Sequence, residues 1–155
     1  IKQVIKDSNQ SVHVDYPFYL LLSERESKDT NDSSLISYFT YDHLTYLFMG
    51  DASKQIEKQL MATYDLKADV IKVGHHGSNT SSDPDFLDSL DCKIALISCG
   101  YKNKYGHPSV ETLKTLENLH INTLCTSDCG SIAIYSLFHF SFVVTNDGMF
   151  GIIWT

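Results

Sequence analysis

The sequence predicts an α/β domain built around a mixed sheet, and two features of its patterning support this class. In the middle of the chain, short apolar runs of strand length alternate with segments of helical periodicity, which is typical of parallel strands joined by helices. Near both ends, strand-like runs follow one another, which is typical of antiparallel pairs. Hydrophobic residues make up 43% and charged residues 20% of the 155-residue chain, as in ordinary globular proteins, so residues 1–155 are expected to form a single domain.

The first third of the chain is predicted to contain three strands and a polar loop. Residues 16–22 are apolar enough to form a strand, whereas residues 23–34 read SERESKDTNDSS and are predicted to form an exposed loop. Residues 35–40 and 44–49 are β-branched and aromatic runs separated by a short gap, which predicts a β-hairpin.

Helices and strands alternate through the central part. Ser53 can cap a helix that reaches about Tyr64, and Asp83 followed by Pro84 is a good start for a second helix. A third helix is predicted to begin after Ser109. Its apolar residues recur at spacings of three, at Val110, Leu113, Leu116 and Leu119. The alternating strands are predicted at residues 70–73, 94–98 and 122–126.

From residue 130 the pattern indicates strands only, with a hairpin turn at Asn146-Asp147-Gly148. The longest apolar run in this part, residues 138–144, is interrupted by His139 and Ser141. Because a helix needs roughly 18 apolar residues to cross a bilayer, no membrane span is expected in the chain.

Charge and cysteine usage limit the possible functions. Twelve basic against nineteen acidic residues give a formal charge of −7, so any contact with a nucleic acid must be local or assisted by a metal ion. The spacings of the cysteines match neither a CxxC redox motif nor a zinc knuckle, which predicts buried thiols. The cysteines are Cys92, Cys99, Cys125 and Cys129.

The candidate chemistry lies directly after two predicted strands. Asp51 follows Gly50, and the pair His75-His76 follows Gly74. Because ligand sites gather at the carboxyl ends of strands in α/β sheets, these side chains are expected to converge on one edge. A carboxylate and one or two imidazoles form a partial ligand set for zinc, manganese or iron. Taken alone, Gly-Asp is more often a simple turn, and a histidine pair is more often structural than metal-binding.

Three strings give the chain a resemblance to a known family. They read LFMGDAS at residues 47–53, ADVIKVGHHGSNTSS at 68–82 and NKYGHPS at 103–109, and residues 31–35 fit an N-x-x-S-L segment. They resemble the later motifs of the metallo-β-lactamase superfamily, and most closely the soluble C-terminal domain of ComEC-type DNA-internalisation competence proteins. The resemblance implies that the chain is the later part of an αββα sandwich.

The resemblance also implies roles for the candidate residues. Asp51 matches an aspartate that bridges two divalent metal ions, zinc or manganese. His76 precedes Gly77 and is favoured over His75 as the last ligand. His75 would then orient the ligand, contact the phosphate or donate a proton.

The loop before the third helix is implied to bind substrate. In the resemblance, His107 contacts substrate or protonates a leaving oxygen, while Lys102 and Lys104, with Asn103 between them, attract phosphate. The alternative is that His107 and the proline after it only set up the next helix. Ser78 either lines a phosphate path or belongs to a solvated loop.

The chain departs from the family pattern in one respect. The principal ligand signature, H-x-H-x-D-H, does not occur in its sequence. In the family this signature lies N-terminal to the matched strings, so truncation is the favoured explanation. The fragment alone is therefore expected to be inactive, to hold its two metal ions weakly or not at all, and to dimerise through exposed apolar surface.

The candidate residues and the resemblance are compatible with three functions. The first is a metal-dependent nuclease-like domain that hydrolyses phosphodiesters of DNA beside the membrane channel of a parent competence protein, on the extracytoplasmic side. The second is an exported cell-surface phosphodiesterase of the same superfamily that acts on phosphocholine esters. The third is a non-catalytic binding domain.

Overall fold

The computed structural model describes residues 16–21, 30–137 and 140–153, which form two β-sheets and a layer of helices. The strands are β1 (Phe18–Leu21), β2 (Ile36–Tyr41), β3 (Leu44–Phe48), β4 (Val70–Lys72), β5 (Ile94–Ile97), β6 (Asn122–Cys125), β7 (Ile132–Leu137), β8 (Phe140–Thr145) and β9 (Phe150–Ile153). The helices are α1 (Lys54–Thr63), α2 (Pro84–Leu90), α3 (Val110–Asn118) and the single turn α4 (Thr126–Cys129). Short 3-10 helices lie at Asn31–Ser33 and Gly74–Gly77.

The first sheet is mixed, and its six strands follow in the order β1-β2-β3-β4-β5-β6. Strands β1 to β3 are antiparallel, whereas β3 to β6 run parallel to one another. The predicted hairpin is β2-β3. The α/β class with a mixed sheet is thereby confirmed.

Both faces of the parallel half of this sheet are covered. Ile71 of β4 is buried in a core that it shares with α1, α2 and α3, whereas Val70 beside it is buried on the opposite side. The antiparallel sheet β7-β8-β9 packs against that second side through Val143 and Ile153. The described residues thus form three layers, and the complete αββα sandwich stays an expectation.

The three helices begin where the sequence predicts, but the predicted side-chain cap at Ser53 is wrong, because the Ser53 hydroxyl accepts no hydrogen bond from the start of α1. The Asp83 carboxylate accepts hydrogen bonds from the backbone N–H groups of Asp85 and Phe86 at the start of α2. The Ser109 hydroxyl accepts from the backbone N–H of Thr112 at the start of α3. These contacts satisfy N–H groups that have no partner within a helix.

The buried face of α3 does not follow the apolar residues that recur at spacings of three. Val110 is 68% and Leu113 is 40% exposed, whereas Thr112 and Leu116 are buried. A spacing of three residues advances by only 300° on a helix of 3.6 residues per turn, so the apolar positions drift around the axis. The buried stripe therefore follows a spacing of four, from Thr112 to Leu116.

Part of the predicted exposed loop lies outside the residues that the structure describes. Residues 23–29, most of the predicted exposed loop, lie outside the described residues, as do Leu22 of the first predicted strand and His139. The described end of that loop contains the 3-10 helix, in which Asp32 is buried. Cys92, Cys125 and Cys129 are buried as expected, whereas Cys99 is half-buried. Within the described ranges, none of the helices is long and apolar enough to cross a membrane.

Candidate functional site

The carboxyl ends of β3 and β4 are joined by backbone hydrogen bonds. Met49 N–H donates to the Lys72 carbonyl (3.2 Å), and His75 N–H donates to the Gly50 carbonyl (3.1 Å). The segment that carries Asp51 therefore lies beside the segment that carries the histidine pair.

A tight turn positions Asp51. Gly50 has φ +58°, and a Cβ at this position would lie 2.7 Å from the Ser34 Cβ. The Ser34 hydroxyl accepts a hydrogen bond from Asp51 N–H at 3.0 Å. The glycine is thus required both by its left-handed backbone and by the close approach of the 31–35 segment.

His75 and His76 have an uncommon backbone conformation. Their φ/ψ values are 46°/45° and 54°/24°, both in the left-handed region. This conformation costs roughly 1–2 kcal/mol per residue for L-amino acids other than glycine, so two in succession are a strained arrangement. Strain of this kind gathers at functional sites, where the surrounding structure holds it in place.

The His76 ring is oriented by a backbone carbonyl. His76 Nδ1 donates to the Ser98 carbonyl, after β5, at 2.5 Å. A carbonyl can only accept, so Nδ1 carries the proton, and Nε2 of the neutral ring has a free lone pair. Nε2 lies 3.6 Å from Asp51 Oδ1, and the two side chains are 47% and 40% exposed. An imidazole nitrogen and a carboxylate oxygen are thereby presented together at the surface.

His75 has different neighbours. Its Nδ1 forms a hydrogen bond of 3.1 Å with the Thr80 hydroxyl, which also lies 3.1 Å from the Ser78 hydroxyl. The His75 ring centroid is 5.8 Å from that of His107. Ser78 is only 4% exposed, so its contact with the site runs through Thr80 and His75.

The loop after β5 forms one wall of a cleft of about 460 Å³. The Asn103 side chain shapes this loop by donating to the carbonyls of Gly100 and His107 and accepting from His107 N–H. The cleft residues are His76, Ser98, Cys99, Gly100, Asn103, Tyr105 and His107. Asn103 therefore uses its amide within the loop, beside the open cleft.

His107 lines this cleft, and Lys102 and Lys104 are sequence neighbours of the lining residues Asn103 and Tyr105. The His107 ring stacks on Tyr105 with centroids 5.9 Å apart. Partial burial, together with the proximity of His75 and His76, lowers the pKa of His107. Lys102 and Lys104 are exposed, each with its ammonium group over a neighbouring tyrosine ring. The bond between His107 and Pro108 is cis.

One charged residue near Asp51 was not identified from the sequence. Lys72, on β4, is half-buried, and burial lowers the pKa of its ammonium group while the charge of Asp51 raises it. A lysine within an otherwise apolar strand was the only sequence signal for this residue. It adds a positive charge close to the Asp51 carboxylate.

The donor set fits part of a metal site. Asp51 and His76 supply one carboxylate and one imidazole of the types that zinc and manganese accept. The hydrogen bond from His76 to Ser98 is the outer contact that commonly fixes a metal-binding histidine. In the part of the chain that the structure describes, no cluster of three or more His, Cys, Asp or Glu side chains could hold a metal ion. Further ligands would have to come from elsewhere.

Comparison with known proteins identifies related segments, although no family model matches the chain. ComE operon protein 3 of Bacillus subtilis is 36% identical over 120 residues, which are 76% of this chain and 16% of that protein. Competence protein ComA of Neisseria gonorrhoeae is 34% identical over 121 residues, 77% of this chain and 17% of that protein. Recombination protein 2 of Haemophilus influenzae is 32% identical over 88 residues, 57% of this chain and 11% of that protein.

These matches cover most of the chain but little of each relative. The chain spans about a sixth of the length of the first two relatives. An identity of 34–36% over about 120 residues indicates a shared segment rather than a short shared motif. Most of this chain is therefore similar in sequence to a segment of ComE operon protein 3 and to a segment of competence protein ComA.

Proposed function

We propose that this chain forms part of a metal-dependent phosphodiesterase site in a protein of DNA uptake. The observation that carries the proposal is the pairing of Asp51 Oδ1 with His76 Nε2 at 3.6 Å, on a strained turn and at an exposed sheet edge. The role in DNA uptake is supported by the homologous relatives, one of which is named a competence protein.

Asp51 and His76 would hold two divalent ions, zinc or manganese, together with ligands from outside the described residues. When bound, such ions supply a nucleophilic water at neutral pH and neutralise charge on the phosphate. Asp51 is suited to bridging because a carboxylate has two oxygens. His76 is suited to one ion because its Nδ1 is already engaged with Ser98. His75, bonded to Thr80, is the better candidate for orienting substrate.

The loop after β5 would bind the phosphodiester. Lys102 and Lys104 bring two positive charges to an otherwise acidic chain, next to the cleft. His107, which lies beside His75 and stacks on Tyr105, would contact the substrate or protonate the leaving oxygen. Because the net charge of −7 repels nucleic acid, any binding must depend on local positive charge. The two lysines of this loop supply such charge.

The proposal includes the setting of the site. DNA is the substrate, and the domain works beside the membrane channel of its parent protein, on the extracytoplasmic side. A small phosphodiester such as a phosphocholine ester is the second candidate substrate, because a cleft of about 460 Å³, with two lysines in its loop wall, also suits a small ligand. A binding domain without catalysis is the third possibility, and metal binding separates it from the other two.

Metal binding can be tested on the 155-residue chain. Manganese, titrated into the chain, should broaden the NMR signals of Asp51, His76 and their neighbours before those of other residues. Asp51→Asn and His76→Gln should each weaken binding at least tenfold, within the range of roughly 10- to 100-fold seen for lost ligand support. Asp88→Asn and His120→Gln change equivalent exposed residues elsewhere and serve as matched controls.

Hydrolysis is tested in the full-length protein that carries this segment. With manganese or zinc, it should cleave DNA, and Asp51→Asn should reduce the rate at least 100-fold while Asp88→Asn leaves it unchanged. If the protein cleaves a phosphocholine ester in preference to DNA, the second candidate substrate is the correct one. Equal DNA cleavage by both variants, or a manganese affinity of the full-length protein that Asp51→Asn leaves unchanged, would overturn the proposed site.

A further inference from the structure

Two free thiols lie side by side at the candidate cleft, and one of them lines it. The Sγ atoms of Cys99 and Cys125 are 3.2 Å apart. Cys99 lies two residues beyond the end of β5, and Cys125 is the last residue of β6, its parallel neighbour. The two cysteines therefore lie at the ends of two adjacent strands, at the sheet edge that carries His76.

Backbone contacts hold the two cysteines in register. Cys99 N–H donates to the Thr126 hydroxyl oxygen at 3.0 Å, and that hydroxyl donates to the Cys99 carbonyl at 2.9 Å. Thr126 is the residue after Cys125, so this two-way contact fixes each cysteine relative to the other. A disulfide bond needs about 2.05 Å between sulfurs, so the two sulfurs, now 3.2 Å apart, would have to approach each other by about 1 Å.

The two thiols differ in accessibility. Cys99 is half-buried and lines the cleft beside His76, whereas Cys125 is 6% exposed. A small disulfide that enters the cleft therefore meets Cys99 first. This order of access suits a two-step exchange, in which the exposed thiol reacts and the buried thiol resolves the mixed disulfide.

We propose that Cys99 and Cys125 form an intrachain disulfide bond by exchange with a small external disulfide. The Cys99 thiolate attacks one external sulfur, forms a mixed disulfide and releases one thiol. The Cys125 thiolate then attacks Cys99 Sγ and displaces the second thiol. The protein loses two thiol protons and two electrons, and the external disulfide is reduced to two thiols.

This bond would act on the candidate site through one residue. Ser98, whose carbonyl accepts the hydrogen bond from His76 Nδ1, immediately precedes Cys99. Linking Cys99 to β6 would fix the start of the cleft loop and with it the His76 ring. The thiol chemistry itself is independent of the proposed phosphodiesterase, so either proposal can fail while the other holds.

The test uses the 155-residue chain and oxidised glutathione. After incubation, acid quenching and alkylation, two of the four thiols should be lost. A non-reduced peptide map should contain a Cys99–Cys125 crosslink, and dithiothreitol should reverse it. Cys99→Ser and Cys125→Ser should each abolish the crosslink. If Cys125→Ser impairs folding because Cys125 is buried, Cys99→Ser still tests the proposal, because Cys99 is only half-buried.

Cys129→Ser is the matched control, because the Cys129 thiol lies near the pair and donates to the Cys125 carbonyl at 3.0 Å. This variant should still form the crosslink, and circular dichroism should show that each variant is folded. Four reactive thiols after oxidation would overturn the proposal, as would a crosslink between Cys125 and Cys129 in place of the expected one. In the oxidised chain, a shift of the His76 imidazole NMR signals is also expected.

Discussion

At the scale of single residues, the candidate site depends on glycines that allow backbones to meet. Gly74 precedes the histidine pair, and a Cβ at this position would lie 2.7 Å from the Ala52 carbonyl oxygen and 3.3 Å from the Ser81 Cβ. The Ser81 hydroxyl donates to the Gly74 carbonyl at 2.8 Å. These contacts pack the turn after β4 against the segment that follows Asp51.

Gly74→Ala should therefore destabilise the chain. A side chain forced into a packed position typically costs about 1–3 kcal/mol, and the obstructing Ala52 oxygen belongs to the backbone. Urea unfolding, followed by circular dichroism, measures the loss. Gly100→Ala is the control, because its Cβ would meet only Asn103 Cβ, at 4.0 Å. Equal stability of the two variants would show that the turn can move.

The sequence predicted Asp51 and the pair His75-His76 as site residues because each follows a glycine directly after an apolar run. It could not identify Lys72 or the Cys99–Cys125 pair in the same way. Their relevance depends on distances between separate strands, which no local pattern encodes. The preference for His76 over His75 as a metal ligand depends on the following glycine and stays a prediction, and the contact between His76 and the Ser98 carbonyl became visible only in the structure.

At the scale of elements, a buried carboxylate joins α1 to the loop before α2. Glu57, on α1, is 1% exposed. Its two oxygens accept hydrogen bonds from Ser82 N–H at 2.8 Å and Asp83 N–H at 2.7 Å. Burial raises the pKa of Glu57 from 4.5 to about 7, although these two hydrogen bonds and the charge of Lys54 act in the opposite direction.

The raised pKa predicts a pH-dependent stability. Between pH 4.5 and about 7 the folded chain keeps a proton on Glu57 that the unfolded chain releases. The resulting contribution is fully present below pH 4.5 and is lost as the pH rises through about 7. Glu57→Gln should remove this part of the pH dependence and lower stability by about 1–3 kcal/mol, since one N–H loses its acceptor.

The measurement is urea unfolding of parent and variant at several pH values between 4.5 and 8. The difference between the two slopes isolates Glu57 from other titrating groups. Glu117→Gln, at an exposed position of α3, is the control and should retain the parent's slope. A parent and a Glu57→Gln variant with parallel curves would contradict the raised pKa.

Element positions were largely predictable because local signals determine them. Asp83-Pro84 and Ser109 mark helix starts by capping chemistry that needs only neighbouring residues. The buried face of α3 could not be read from its apolar residues, since Val110 and Leu113 are exposed. Which face a helix buries depends on the sheet against which it packs, and a spacing of three residues does not encode that contact.

At the scale of the whole molecule, the second sheet has one buried and one exposed apolar face. Its inner face packs on the first sheet through Val143 and Ile153. The exposed apolar residues of its strands include Tyr135, Phe140, Phe150 and Ile152, which are 49–63% exposed. The sequence predicted exposed apolar surface, but its location could be recognised only after the strands were assigned to two sheets.

An apolar sheet face of this kind is uncommon on a monomer, so the isolated chain is expected to self-associate through it. Phe150→Lys, on β9, should weaken self-association at least tenfold, because it places a charge within the apolar face. Sedimentation equilibrium over a range of concentrations measures this effect, and thermal unfolding checks that the variant is folded. Val110→Lys is the control, since Val110 is 68% exposed but lies on α3, among the helices on the opposite side of the first sheet. A parent that sediments as a monomer at every concentration, or a Val110→Lys variant that dissociates as readily as Phe150→Lys, would assign the contact to another surface or to none.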